Sequence, residues 1–142
     1  MKSYLFNILL SCLVLPVFAQ KSSLEVHIPK IKAAGEGQIL IMIHRSSESF
    51  PASFSQATYS VVMADFDNKL TYTFTDIEPG TYAVSAFHDK NKNGKIDRNF
   101  IGFPKEPVAA ANQKSLGRPS FSRSSLQLGK TPQRIELTFI ND

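Results

Sequence analysis

The sequence has no tryptophan and a single cysteine, Cys12, so one chain cannot close a disulfide on itself, and a cysteine-ligated zinc centre is excluded. No apolar run approaches the roughly twenty residues of a spanning helix; the longest, residues 4–17, is shorter and contains Pro16. From residue 20 onward no stretch of three turns carries a helical apolar period. The 16 Lys and Arg against 12 Asp and Glu leave a formal net charge of +4, and the cations are spread along the chain from Lys21 to Arg134 instead of forming a stripe. A protein that neutralises nucleic-acid phosphates needs clustered Lys and Arg, so that class of partner is set aside. The serines of residues 115–125 lie in no Gly-x-Ser-x-Gly elbow, which leaves an α/β-hydrolase without support.

The first nineteen residues read as an export signal. Lys2 gives a short positive start, residues 4–17 give the apolar segment, and Val17, Phe18 and Ala19 place small residues where a signal peptidase cuts. The expectation is a signal peptide over 1–19 and an exported domain over 20–142, periplasmic or secreted, with no transmembrane span in the mature chain. An alternative is a lipid-anchored envelope protein: Ser11 before Cys12 is similar to the acylation site of bacterial lipoproteins. The apolar Leu13, Val14 and Leu15 argue against it, because such chains turn polar after the cysteine. With the ordinary cut the cysteine is lost, and stability must come from the core or a bound ion.

From residue 20 onward the dominant period is two. Leu24, Val26 and Ile28 alternate with Glu25 and His27, and Pro29 ends the strand. Ile39, Leu40, Ile41, Met42 and Ile43 are apolar without interruption, as in a central strand covered on both faces. Phe50 and Phe54, in a serine-rich loop, are expected to cover one end of the core. Tyr59, Val61 and Met63 make a further strand, and Leu70, Tyr72 and Phe74 alternate with three threonines; Asp67 and Asn68 between them predict a β-hairpin. Glu78, Pro79 and Gly80 form a tight turn into a strand over 81–88 with two apolar faces. Asn99 to Phe103 reads as a short strand or a tied-down segment, 107–119 as an irregular excursion, and Leu126, Leu128, Ile135, Leu137 and Phe139 as the last two strands, turned at 129–132. About seven short strands in a domain of this size predict an all-β fold, an antiparallel β-sandwich of immunoglobulin-like or transthyretin-like type, with a closed barrel as the competitor.

Chemistry concentrates in residues 80–106. Asp89, Asn91 and Asn93 occupy positions one, three and five of a loop, Gly94 position six and Asp97 position nine. That is the spacing of a calcium loop, in which alternate side chains turn their oxygens onto a hard cation and Gly takes the sharp bend. Lys95 would offer only its carbonyl. Phe100 stands where a bidentate Glu is normal, and helices do not flank the loop, so an EF-hand is excluded as a fold. Two loop carboxylates among Lys90, Lys92, Lys95 and Arg98 imply weak binding, roughly 10⁻⁴ to 10⁻³ M, with Glu106 as a possible closing ligand. The competing reading, weighed slightly ahead, is a hairpin turned at Asn93 and Gly94 in which Asp89 and Asn91 bond their own backbone.

His27, His44 and His88 all fall near strand ends, and only His88, beside Asp89, meets a carboxylate. A secreted enzyme using His88 and Asp89 with the Arg118 loop is therefore the alternative function. Arg118, Pro119, Ser120 and Phe121, with Phe100, Phe103 and Arg98, offer rings and guanidinium groups suited to a sugar or peptide groove; a loop pinned by its own Phe is the preferred, plainer account.

Asp76 to Val84 with its Glu-Pro-Gly-Thr-Tyr run, Phe87-His88-Asp89 with Asn91, Asn93, Gly94 and Asp97, Asn99-Phe100-Ile101-Gly102, and Pro104-Lys105-Glu106 together resemble the core of a bacterial exported family, domain of unknown function 2141. Gly117, Pro119, Ser120 and Phe121 are similar to its closing motif. Between Glu106 and Gly117 the chain departs from the family's Gly-Phe-Ser-Asn stretch, and only Asn112 matches. The resemblance implies an exported all-β domain and no particular activity. The sequence reading is thus an exported, non-catalytic binding or structural module, possible partners being an envelope protein or carbohydrate and the possible cofactor calcium in the 89–97 loop.

Overall fold

The computed structural model describes residues 20–51, 53–115 and 117–142; the expected signal peptide and the lipidation alternative at Cys12 lie outside them. Among the described residues eight strands form two sheets: β1 (Ser22–Ile28), β2 (Gln38–His44), β3 (Tyr59–Met63), β4 (Leu70–Ile77), β5 (Gly80–Asp89), β6 (Val108–Ala110), β7 (Ser125–Leu128) and β8 (Gln133–Glu136). One four-residue helix, α1 (Phe121–Ser124), precedes β7. Among the described residues no helix is long and apolar enough to cross a membrane.

The smaller sheet has the order β4-β1-β8, and the larger has β3-β2-β5-β6 with β7 also on β5. All pairings are antiparallel except β1 with β8, where Leu24 to His27 run parallel to Gln133 to Glu136. The first and last of these strands therefore meet in one sheet of an all-β sandwich.

Alternation fixes which face of each strand is dry. Leu24, Val26 and Ile28 of β1 and Ile39, Ile41 and Ile43 of β2 are buried in one core between the sheets, with Tyr82, Val84 and Ala86 of β5. The opposite face of the larger sheet is also covered: Leu40, Met42 and Phe87 pack under Phe54, Ile96 and Val108, which is why β2 and β5 are apolar at nearly every position. Phe50, buried against Ala83 and Ala110, caps the same outer layer.

Three expectations are corrected. Residues 59–63 and 70–77 are not a hairpin: β3 pairs with β2 and β4 with β1, in different sheets. The connection crosses the sandwich and buries Phe66 in the core on the way. The strands around 129–132 likewise diverge, β7 to β5 and β8 to β1. The segment 107–119 is not wholly irregular, because Val108–Ala110 forms β6 on Ser85 to Phe87. Residues 99–103 are a tied-down segment, closed by a single bridge between Arg98 and Pro104.

β5 is the axis of the larger sheet. One edge pairs with β2 along Ala83 to Asp89; the other is shared end to end by β7, on Gly80 to Ala83, and β6, on Ser85 to Phe87. Ala111 N donates to Val84 O at 2.9 Å and His88 N to Pro107 O at 2.9 Å, so the backbone groups between and beyond these pairings are used as well. The strand that carries Ser85, His88 and Asp89 is thereby fixed from both sides.

Candidate functional site

β5 delivers Asp89 to the outer face at the point where the strand ends. Its side chain is fully buried, a position a carboxylate tolerates only when hydrogen-bonded. Gln38 Nε2 donates to Oδ2 at 2.8 Å, Gly94 N to Oδ2 at 2.7 Å and Asn93 N to Oδ1 at 3.1 Å. Asp89 therefore winds the following five residues around itself, and Gly94, with φ +73°, takes the left-handed bend at the apex.

Asn91 and Asn93 continue the winding. Asn91 Oδ1 accepts from Asn93 N at 3.1 Å and Asn93 Oδ1 from Lys95 N at 2.8 Å, the bonding expected of the plain-hairpin reading. Their amide groups both reach Asp97, at 2.6 Å to Oδ2 and 3.2 Å to Oδ1. So the structure brings Asp89, Asn91, Asn93 and Asp97 together in one turn, with the Lys95 backbone among them. Glu106, also buried, sits beneath the loop and accepts from Lys90 N at 2.9 Å and Asp97 N at 3.0 Å. It staples both arms of the loop. Among the described residues no group of three or more His, Cys, Asp or Glu side chains is close enough to hold a metal ion, so any cation here would rely on amide and backbone oxygens beside Asp89 and Asp97. Such an all-oxygen set does not fit zinc.

His88 points the other way, into the core. It is fully buried, its ring edge-on to Phe66 with centroids 5.4 Å apart, and 6.2 Å from Phe139. Nε2 lies 2.6 Å from Glu36 O; a carbonyl only accepts, so Nε2 carries the proton and Nδ1 is left without a partner among the described residues. His88 and Asp89 project from opposite faces of the sheet, and neither lines a cavity that contains the Arg118 loop. The shared pocket that the enzyme alternative requires is not formed by them.

A groove of about 600 Å³ lies on the outer face of the larger sheet. Arg98 and residues 101–104 form one wall, Glu48 to Pro51 with Ser53 a second, and Gln113 with residues 117–119 a third; Ser85, Val108 and Ala109 lie at the floor. Arg98, Phe103 and Arg118 are thus brought together as the groove reading expects. Phe100 is not among the lining residues, and Phe121 packs instead against Phe50, with ring centroids 6.2 Å apart.

The floor holds Ser85, which sequence reasoning did not single out, and behind it a histidine to which that reasoning gave no partner. His44 is fully buried behind Ser85. Its Nδ1 lies 3.0 Å from Ser49 Oγ and its Nε2 3.4 Å from Ser85 Oγ. Ser49 Oγ donates to Ser46 O, so it accepts from His44 Nδ1–H. Ser85 Oγ donates to Pro51 O, which spends the serine proton on backbone and leaves no activated nucleophile. Burial lowers the His44 pKa, opposed in part by the Pro51 carbonyl; the ring is held neutral. The available signal was register: His44 and Ser85 share a face of neighbouring strands, but their pairing partners are Ala83 and Met42, and a diagonal contact is not readable from either strand alone.

The chain also leaves regular structure after β6 for an identifiable reason. Asn112 adopts φ 61°, a left-handed turn that Asn tolerates, and donates its amide to Arg123 O at 3.2 Å, joining the end of β6 to α1.

Nothing among curated proteins or solved structures matches the chain. A family model described as "Uncharacterized protein conserved in bacteria (DUF2141)" matches residues 26–136, a span that runs from β1 to β8 and takes in both the 89–97 loop and the groove, and the chain belongs to that family.

Proposed function

We propose that this protein is an exported, non-catalytic binding module whose recognition surface is the groove over the larger sheet, and that its ligand is a carbohydrate of the cell envelope. The observation that carries the reading is the meeting of three separate segments around one cavity of about 600 Å³ that Arg98, Phe103 and Arg118 all line. Guanidinium forks bond hydroxyl and carboxylate oxygens in pairs, and an aromatic face covers the apolar side of a sugar ring. Export rests on the signal-like residues 1–19. The test is titration of the domain of residues 20–142 with soluble cell-wall glycan fragments, beside Arg98→Ala and Arg118→Ala. Saturable heat lost in both variants at unchanged melting temperature supports the reading; absence of heat, or variants that bind as the parent does, removes it.

The second reading is calcium in the 89–97 loop, favoured by the convergence of Asp89, Asn91, Asn93 and Asp97. Bound calcium would neutralise the two carboxylates and stiffen the turn, contributing through mass action as RT ln(1 + [L]/Kd). At about 5 mM calcium and a Kd of about 10⁻³ M that is about 1 kcal/mol, or about 4 °C in melting temperature. Asp97→Asn should abolish the shift. A melting temperature indifferent to calcium would end the ion proposal while leaving the groove untouched.

A further inference from the structure

Residues 98–104, which give the groove one wall, form a turn whose apex faces solvent. Asn99 accepts at its side-chain oxygen from Ile101 N at 3.1 Å and Phe103 N at 2.9 Å, Gly102 N returns to Asn99 O at 3.0 Å, and Arg98 Nη1 donates to Gly102 O at 3.0 Å. The turn is hydrogen-bonded throughout, so its apolar side chains are not left outside by looseness. Yet Phe100 is 99% exposed, Ile101 64% and Phe103 50%. Among the described residues the only other exposed large hydrophobic is Val62. An isolated exposed hydrophobe needs no account, but three in four consecutive residues on a built turn form a patch.

The charge around the patch selects its partner. Lys90, Lys92, Lys95, Arg98 and Lys105 are all exposed on this loop, while Asp89 and Glu106 are buried and hydrogen-bonded into its root, and Asp97 is the one remaining carboxylate of the excursion. The loop is cationic in a chain whose formal net charge is only +4. An exposed aromatic and aliphatic turn on an excursion that also exposes four lysines and an arginine matches the boundary of an anionic bilayer, where apolar side chains enter the acyl region and cations stay among the headgroups. A protein partner would need a cavity for Phe100 and acidic residues around it; a bilayer supplies both without shape complementarity. We infer that this turn is a membrane-docking tip, seating the domain on an anionic lipid surface with Phe100 and Ile101 inserted and Lys90, Lys92 and Lys95 against the headgroups.

Ile101 belongs to the groove wall as well, but Phe100, Lys90, Lys92 and Lys95 do not line the groove, so substitutions at these four positions test the tip separately from the carbohydrate reading. The experiment is co-sedimentation of the domain of residues 20–142, which holds every described strand, with vesicles of phosphatidylcholine alone or with about 30 mol% phosphatidylglycerol. Binding is expected on the mixed vesicles, weakening as salt is raised. Phe100→Ser should lower the partition coefficient about tenfold, and each of Lys90→Gln, Lys92→Gln and Lys95→Gln about fivefold. All four sites are exposed, so their melting temperatures should stay near the parent's. A soluble polyglutamate arm separates lipid from acidic protein. Equal binding to polyglutamate with no effect of Phe100→Ser would overturn the inference, as would absence of partition into the mixed vesicles.

Discussion

Gly35 and Gly37 stand in the turn that feeds β2, and they are an internal control for each other. Both are left-handed, with φ +75° and +71°, so alanine at either carries a similar strain, about 1 kcal/mol. They differ in what the new methyl group would meet. At Gly35 nothing lies within 4 Å, whereas at Gly37 a Cβ would fall 2.3 Å from Asp89 O, 2.6 Å from Lys90 Cα and 3.0 Å from Asp89 C. These are backbone atoms where β5 ends and the 89–97 loop begins, and they have no rotamer by which to withdraw. The start of β2 must move away from β5. Gln38 is the partner of Asp89 in the ladder and also donates to its carboxylate at 2.8 Å, so the movement loses a backbone pairing and a charge-assisted bond, each worth about 1 kcal/mol.

Gly37→Ala should therefore cost about 3 kcal/mol and Gly35→Ala about 1 kcal/mol. At about 4 °C per kcal/mol, the melting temperatures should fall by about 12 °C and about 4 °C. Urea unfolding followed by circular dichroism measures both, and amide exchange at Asn93 and Gly94 reports whether the Asp89 bonds loosen with β2. If the two variants agree within about 0.5 kcal/mol, the close approach of the β2 turn to Asp89 is refuted, and with it the claim that β2 seats the loop.

Glu106→Gln replaces one of two accepting oxygens by an NH₂ group that faces a backbone N–H. It should cost about 2 kcal/mol and raise exchange at Lys90 and Asp97; unchanged protection at both would show that Glu106 does not hold the loop. His44 gives a pH dependence. Its folded pKa lies below the ordinary value of 6.5 because of burial, so the unfolded chain binds the proton more readily, and stability that is complete above that value declines as pH falls below it. One proton limits the slope to about 1.4 kcal/mol per pH unit. The parent should lose stability between pH 7 and 5 more steeply than His44→Gln; parallel slopes would refute the assignment.

The strands were legible because alternation reports burial directly: Leu24, Val26 and Ile28 are buried and the residues between them are not. The partners were not, since periodicity specifies a face and carries no information about which strand lies alongside. Asp67 and Asn68 look like a hairpin turn, but Phe66 in the same connection was the available contrary signal, a large apolar residue where a solvent turn needs none. β6 escaped notice because Val108, Ala109 and Ala110 are short and only one of them favours extended structure; its pairing comes from the unfilled edge of β5. In the loop, Asp89, Asn91, Asn93 and Asp97 were readable as one turn from spacing alone. The groove was legible only in part: Arg98, Phe103 and Arg118 could be named as candidate lining, but the wall around residue 48 and the floor at Ser85 could not, because these segments are brought together only by the sheet.

The two buried carboxylates explain how an exposed tip can be both polar at its root and apolar at its end. Asp89 and Glu106 close the two ends of the excursion, and between them they accept five N–H groups, one from Gln38 and four from the loop backbone. Each bond fixes a loop residue before any ligand arrives, so the ordering entropy that would oppose binding at Phe100 or in the groove has already been met in folding. The same bonds limit what calcium can gain. A cation that draws on Asp89 competes with Asn93 N and Gly94 N for its oxygens, while Asp97 is held on its oxygens by two asparagine amides that can rotate. Asp97 is then the residue that separates the two roles: Asp97→Asn should remove a calcium response and leave the parent stability within about 1 kcal/mol, whereas Asp89→Asn should unseat the loop with or without the ion.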